Sequence, residues 1–137
     1  MTRAITRPRI LLAEDDDETR SGLAELLCAA GFDVDPVASG TEMLEALASR
    51  DLGGPECPDI IVTDVIMPGF SGINVIEELR AEGWHQPIVV ISGYDRDTVT
   101  SRISPLRDVQ FLAKPLDPPE VVALMRTLAK PLTRTLS

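Results

Sequence analysis

The sequence is poor in the residues that build disulfide frameworks and zinc sites. It has two cysteines and one histidine in 137 residues, and aromatic residues make up 4% of it. Cys28 lies in a predicted helix and Cys57 in a loop rich in proline and glycine, with no CxxC spacing. The composition therefore supports neither a disulfide framework nor a structural zinc site.

The sequence also lacks a net positive charge and long apolar runs. The formal net charge is −9 at pH 7, which argues against direct contact with nucleic acid or an anionic membrane surface, because both require a basic face. No apolar run approaches the roughly 18 residues of a membrane span, and residues 1–9 lack the apolar core of a signal peptide. We therefore expect a cytoplasmic protein without membrane contact, whose partners are proteins or a cation.

Short apolar runs dominate what is present. Hydrophobic residues make up 44% and charged residues 26%, as in an ordinary globular domain. We expect a domain over residues 9–130, with an extension at 1–8 and a tail at 131–137. The apolar or β-branched run at residues 60–63 leads directly into Asp64 and predicts a strand buried on both faces. The strands predicted in this way cover residues 9–13, 32–37, 60–64, 87–91 and 109–113.

Amphipathic segments separate these strands. Residues 18–30, 40–50, 72–83 and 118–130 predict helices, with Asp16 or Asp17 as the first N-cap, Gly31 and Gly83 as stops, and Pro131 ending the last helix. Residues 94–105, rich in Thr, Ser and Asp, predict only a short or mobile fourth helix. Pro36 favours an edge position for the second strand. Alternation of this kind predicts an α/β fold with a five-stranded parallel sheet, doubly wound, with helices on both faces.

Polar residues follow four of the strands. Glu14 and Asp15 come after the first, Asp64 ends the third, Ser92 follows the fourth and Lys114 the fifth. The carboxyl ends of parallel strands share one edge of the sheet, where ligands of such folds bind. Clustered carboxylates disfavour ionisation unless a cation compensates. Magnesium suits such a cluster because it takes oxygen ligands.

Each of these residues also has an ordinary structural explanation. Asp64 could cap the following turn, and Glu14 and Asp15 could belong to a solvated loop that caps a helix. Ser92 could be a turn residue, and Lys114 an exposed loop lysine. Their joint occurrence after the appropriate strands favours a functional site.

The motifs that contain these residues resemble the receiver domain of two-component response regulators. The resemblance covers residues 9–130 and rests on Ile10-Leu-Leu-Ala-Glu-Asp-Asp16, Pro58-Asp-Ile-Ile-Val-Thr-Asp-Val-Ile-Met-Pro-Gly69, Val90-Ile-Ser-Gly93 and Lys114-Pro115. It implies a flavodoxin-like (βα)5 fold. It also implies a cis peptide bond between Lys114 and Pro115.

The same resemblance implies a role for each site residue. Asp64 is the phospho-acceptor, and Glu14 and Asp15 form the acidic pair. Mg2+ is held by the side chains of the acidic pair and of Asp64 and by the backbone carbonyl of Ile66. The residues that respond to the phosphoryl group are Ser92 and Lys114, which contact it, and Phe111, the switch aromatic.

Departures from the family pattern are modest. Glu14 replaces the commoner aspartate, a frequent variant in this family, and its longer side chain leaves its role in the metal shell open. Ile66 and Tyr94 occupy positions that tune hydrolysis in this family, and both are bulky and non-acidic. They predict slow loss of the phosphoryl group.

The function implied is a signalling switch. A sensor histidine kinase or phosphotransfer protein would phosphorylate Asp64, and the face formed by the fourth helix, fifth strand and fifth helix would bind a downstream protein or a second copy. The receiver would catalyse its own phosphorylation and dephosphorylation. The sequence fits both a stand-alone regulator and part of a larger protein or hybrid kinase.

Three other functions are weighed against this one. The first is a constitutive protein-binding module with the same fold. The second is an aspartyl phosphatase, whose Asp-x-Asp-x-Thr pattern is absent after Asp64. The third is a flavin carrier, whose phosphate the acidic loop after the first strand would repel.

Overall fold

The described part of the chain contains seven strands and four helices. The computed structural model describes residues 7–49, 57–64, 66–67, 70–93 and 108–135. The strands are β1 (Arg9–Ala13), β2 (Asp33–Val37), β3 (Ile60–Asp64), β4 (Ile66–Met67), β5 (Phe70–Ser71), β6 (Ile88–Ser92) and β7 (Val109–Ala113). The helices are α1 (Asp17–Ala29), α2 (Gly40–Ala48), α3 (Gly72–Ala81) and α4 (Pro118–Thr135).

Five of the strands form one parallel sheet in the order β2-β1-β3-β6-β7. This confirms the predicted α/β architecture. β2 lies at an edge, as Pro36 predicted, because proline has no N–H to donate to a second neighbour. β3 is buried along its whole length between β1 and β6.

Alternate strand residues pack against two separate helical layers. One layer contains α2 and α3, which contribute Met43 and Val75 among others, and it packs on residues such as Leu11 and Ile61. The opposite layer contains α1 and α4 and packs on Ile10, Leu12, Ile60 and Val62. The sheet is thus covered by helices on both faces, which explains the continuous apolar runs of its central strands.

Local signals set the helix ends. Asp16 is the N-cap of α1, and its carboxylate accepts a hydrogen bond from the Thr19 N–H at 2.8 Å. Ser39 caps α2 in the same way, accepting from the Glu42 N–H at 3.1 Å. Gly31, just beyond α1, has a φ of 104°, a conformation that glycine adopts at little cost. Asp16 and Gly31 confirm the predicted first N-cap and its helix stop, and Ser39 adds a second cap.

The structure differs from the prediction in two places. The last helix continues through Pro131 to Thr135, so the expected end at Pro131 is wrong. Proline removes one hydrogen bond and costs about 3 kcal/mol in a helix interior, but the helix continues despite this penalty. In addition, β4 and β5 form an antiparallel pair after Asp64, which the sequence had not indicated.

Two other expectations concern the segments on either side of β7. The peptide bond between Lys114 and Pro115 is cis, as expected. The predicted fourth helix at residues 94–105 lies outside the described residues.

Candidate functional site

The carboxyl ends of four adjacent strands bring the predicted site residues together. Glu14 directly follows β1, Asp64 ends β3, Ser92 ends β6 and Lys114 directly follows β7. Asp64 pairs in register with Ile91, one residue before Ser92, and Ser92 pairs with Ala113, one residue before Lys114. The predicted convergence of these residues at one edge of the sheet is therefore present.

Three carboxylates form a cluster at this edge. One carboxylate oxygen each of Glu14, Asp15 and Asp64 lies within 4.8 Å of the other two. Glu14 is fully buried and Asp64 is 8% exposed, whereas Asp15 is on the surface. The cluster therefore has a closed side at Glu14 and a side open to solvent at Asp15.

Lys114 bridges two of these carboxylates. Its Nζ donates to Glu14 Oε1 and to Asp64 Oδ2, both at 2.8 Å. Burial opposes the ammonium charge, but hydrogen bonds and attraction from Asp64 and Glu14 outweigh it, and the pKa of Lys114 is raised. With all four groups ionised, three carboxylates face one ammonium, so negative charge remains in excess.

Glu14 is held by contacts on every polar atom. Its Oε2 accepts a hydrogen bond from the Asp16 N–H at 3.3 Å, and its N–H donates to the Val37 carbonyl at 3.1 Å. Burial raises the pKa of the Glu14 carboxyl, while the hydrogen bond from Lys114 lowers it and the neighbouring charge of Asp64 raises it further; the net direction is upward. An additional positive charge at this site would favour the ionised form.

The predicted switch residues occupy neighbouring strands. Ser92 is fully buried at the end of β6, and its carbonyl accepts from the Lys114 N–H at 2.8 Å. Phe111, on β7, is half-buried and pairs with Val90, two residues before Ser92 on the same face of the sheet. Ser92 and Phe111 therefore lie on the same face of two adjacent strands.

Of the two residues predicted to tune hydrolysis, the structure describes only one. Ile66 begins β4, two residues after Asp64. Tyr94 lies outside the described residues. The metal contact of the Ile66 carbonyl and the influence of both residues on hydrolysis stay predictions.

Arg20 contacts the backbone of the acidic loop, which the sequence had not indicated. Its guanidinium donates to the carbonyl oxygens of Glu14 at 2.9 Å and Asp15 at 3.5 Å, and to Asp17 Oδ1 at 2.5 Å. The only sequence signal is an arginine one turn into the helix that follows the acidic loop.

The family assignment follows from comparison with known proteins. The protein-family model described as the response regulator receiver domain matches residues 10–126 of this chain. The chain belongs to the response regulator receiver domain family. This membership supports the predicted function, a phosphorylation-activated signalling receiver, over a constitutive binding module.

Curated relatives agree with this assignment. The receiver domain is 36% identical to the transcriptional regulatory protein FixJ of Azorhizobium caulinodans over 113 residues, which is 82% of this chain and 51% of FixJ. It is also 36% identical to the response regulator MprA of Mycobacterium ulcerans over 124 residues, 89% of this chain and 50% of MprA. The chain thus spans about half the length of these relatives.

Solved structures share the fold. A receiver domain of the Francisella response regulator 1452 superposes with a TM-score of 0.80 at 24% identity, covering 92% of this chain and 99% of that one. A response regulator receiver protein from Sinorhizobium medicae gives a TM-score of 0.77 at 28% identity, covering 90% and 95%. Both likenesses agree with the flavodoxin-like architecture.

The donor set of the receiver domain fits a hard divalent cation. Carboxylate oxygens are the ligands that magnesium prefers, and one or two carboxylates usually suffice because the ion keeps several waters. The open side at Asp15 leaves room for those waters. Separately, none of the described helices is long and apolar enough to cross a membrane.

Proposed function

We propose that this receiver domain accepts a phosphoryl group on Asp64 from a phosphohistidine. A carboxylate oxygen of Asp64 attacks phosphorus, the P–O bond forms as the P–N bond breaks, and the histidine leaves with its electron pair. The product is an acyl phosphate. The observation that carries this proposal is the bridge from Lys114 Nζ to Asp64 Oδ2 at 2.8 Å, which puts a fixed positive charge beside the attacking group.

Lys114 has a second role once the phosphoryl group is present. In phosphoryl transfer, catalysis consists mainly of positioning and of stabilising charge on the phosphoryl oxygens. The Lys114 ammonium is within reach of a group attached to Asp64 and can exchange its contact with Glu14 for a phosphoryl oxygen. Its raised pKa keeps it charged throughout the neutral pH range.

Magnesium is the proposed cofactor. The side chains of Glu14, Asp15 and Asp64 and the backbone carbonyl of Ile66 would hold it. When bound, the ion supplies positive charge that neutralises phosphoryl oxygens. The support for this assignment is the cluster of three carboxylates within 4.8 Å.

The response to phosphorylation is proposed to pass through Ser92 and Phe111. The Ser92 hydroxyl would turn towards a phosphoryl oxygen, and Phe111 would turn inward in response. The face made by the predicted fourth helix, β7 and α4 would then change its affinity for a downstream protein or a second copy.

The proposed phosphodonor is a sensor histidine kinase or phosphotransfer protein. An open groove of about 700 Å3 lies between α1 and α4, and its lining includes Leu23, Leu26, Val121 and Lys114. This groove supports the proposal because a donor seated there would bring its histidine near Lys114 and Asp64. Direct contact with nucleic acid is not proposed, given the net charge of −9. A cytoplasmic location stays a prediction that rests on family membership.

Intact-mass analysis after incubation with Mg2+ and acetyl phosphate tests the proposal. The wild type and the Asp117→Asn control, which alters an exposed carboxyl outside the site, are expected to gain one phosphoryl mass. Asp64→Asn is expected to gain none. A gain in Asp64→Asn would contradict the assignment of Asp64.

A histidine donor tests the same reaction independently. If acetyl phosphate modifies none of the three proteins, a labelled phosphohistidine kinase is the second donor. Failure of the wild type to accept label from either donor would favour the constitutive binding module.

A further inference from the structure

We propose that Arg20 is a positioning residue that holds the acidic loop, residues 14–16, so that the Asp15 carboxylate stays at the cation site. The inference rests on the proposed function. It assigns a role to a residue that contacts neither the phosphoryl acceptor nor the expected cation directly. Arg20 would act through the backbone of Glu14 and Asp15.

The Arg20 guanidinium connects α1 to the loop that precedes it. One nitrogen, Nη1, donates to the Glu14 carbonyl at 2.9 Å and makes a longer contact of 3.5 Å with the Asp15 carbonyl. The other, Nη2, pairs with the Asp17 carboxylate at 2.5 Å. The planar guanidinium, with its five donors, can make these contacts simultaneously, which a lysine ammonium cannot reproduce with the same geometry.

Asp15 depends on its backbone for position. Its side chain is exposed, and no hydrogen bond or ion pair of its carboxylate is found within the described part of the chain. Glu14, in contrast, is fixed by Lys114, by the Asp16 N–H and by the Val37 carbonyl. Movement of the Glu14 and Asp15 carbonyls would therefore displace the Asp15 carboxylate more than that of Glu14.

Charge and position predict opposite effects of removing Arg20. A positive charge beside a cation site repels the cation, so its loss should tighten magnesium binding if electrostatics alone mattered. If Arg20 positions Asp15, its loss should weaken binding instead. Loss of a group that orients a metal ligand typically costs 10- to 100-fold in affinity, and because Arg20 acts on one ligand we expect about tenfold.

Isothermal titration calorimetry with Mg2+ distinguishes these effects. We expect Arg20→Met to bind Mg2+ about tenfold more weakly than the wild type. Arg20→Lys, which keeps the charge, is expected to fall between the two. Arg126→Met is the matched control: it removes the same charge from an exposed position on α4 and should keep the wild-type affinity.

The outcomes separate this inference from the proposed function. Unchanged or tighter binding by Arg20→Met overturns the role of Arg20 while leaving the cation site in place. Absence of Mg2+ binding by the wild type overturns the cation site itself. If Arg20→Met does not fold, as judged by Trp84 fluorescence, Arg20→Lys decides: weaker binding supports the inference, and wild-type affinity overturns it.

Discussion

Replacing Lys114 with methionine leaves two carboxylates of the site without their cation. Each ion pair of Lys114, with Glu14 or Asp64, has an N–O distance of 2.8 Å, which corresponds to an attraction of roughly 6 kcal/mol at an effective dielectric constant of 20. Most of this is offset, because methionine no longer requires an ammonium to be desolvated. Removing one partner of a buried pair typically costs 3–5 kcal/mol.

We expect the lower end of this range for Lys114→Met. The Lys114 side chain is 30% exposed, so water already screens part of the attraction, and Glu14 can take up a proton. The expected loss in the free energy of unfolding is about 3 kcal/mol at pH 7 without divalent cations. For a domain of this size the melting temperature should fall by about 10 °C.

The loss should depend on pH in a defined direction. The folded pKa of Glu14 is raised above its ordinary value of 4.5 by burial, and the Lys114 hydrogen bond is the largest influence that lowers it. Without Lys114 the folded variant binds a proton at Glu14 more readily than its unfolded chain does. Its stability relative to the wild type should therefore rise as the pH falls from 7 towards 4.5.

Urea unfolding followed by the fluorescence of Trp84, the single tryptophan, which is buried, measures both effects. Arg126→Met controls for the change in net charge, since this arginine is exposed on α4, and it should stay within about 0.5 kcal/mol of the wild type. A loss below 1 kcal/mol for Lys114→Met, or a loss equal at pH 7 and pH 5, would refute the reasoning.

Three further predictions concern the caps and the phosphoryl group. Hydrogen bonds from the Thr19 hydroxyl and N–H lower the pKa of Asp16, so its stabilising contribution is present above pH 3.8 and is lost as the pH falls through the folded pKa. Urea unfolding of Asp16→Asn between pH 3 and 7 should lack this loss of stability. The same acid dependence in Asp16→Asn as in the wild type would contradict the prediction. Ser39→Ala should lower the free energy of unfolding by about 1 kcal/mol, whereas Ser49→Ala, at the other end of α2, should change it by less than about 0.5 kcal/mol. A mass-based time course should show that the phosphorylated wild type loses its phosphoryl group slowly. Tyr94→Asp should speed this loss by up to about 100-fold. Rapid loss from the wild type would show that Ile66 and Tyr94 do not slow hydrolysis.

The sheet could be predicted from sequence because its central strands leave little ambiguity. β3 and β6 are buried along their whole length, and such strands read as unbroken apolar runs bounded by turn residues. Once these strands are parallel, topology alone brings Asp64, Ser92 and Lys114 to one edge. The helix start at Asp16 was predictable for a different reason, since capping is a local interaction.

Other features could not be predicted because no local pattern encodes them. The pair formed by β4 and β5 has two residues in each strand, which is too short for periodicity to appear. Arg20 acts on backbone carbonyls six and five residues earlier, a contact that depends on the path of the loop. Pro131 carries a strong local signal for a helix end, but that signal is a preference of about 3 kcal/mol and α4 continues past it.

The arrangement around Lys114 suggests why a glutamate is tolerated in the acidic pair of this receiver. Glu14 extends from a buried position and engages Lys114 with one oxygen and the Asp16 N–H with the other. Asp64 reaches the same ammonium from the neighbouring strand. A phosphoryl group on Asp64 would bring more negative charge to Lys114 from that side. Glu14 is therefore the partner that Lys114 would release, and its raised pKa means that a proton can compensate for that release.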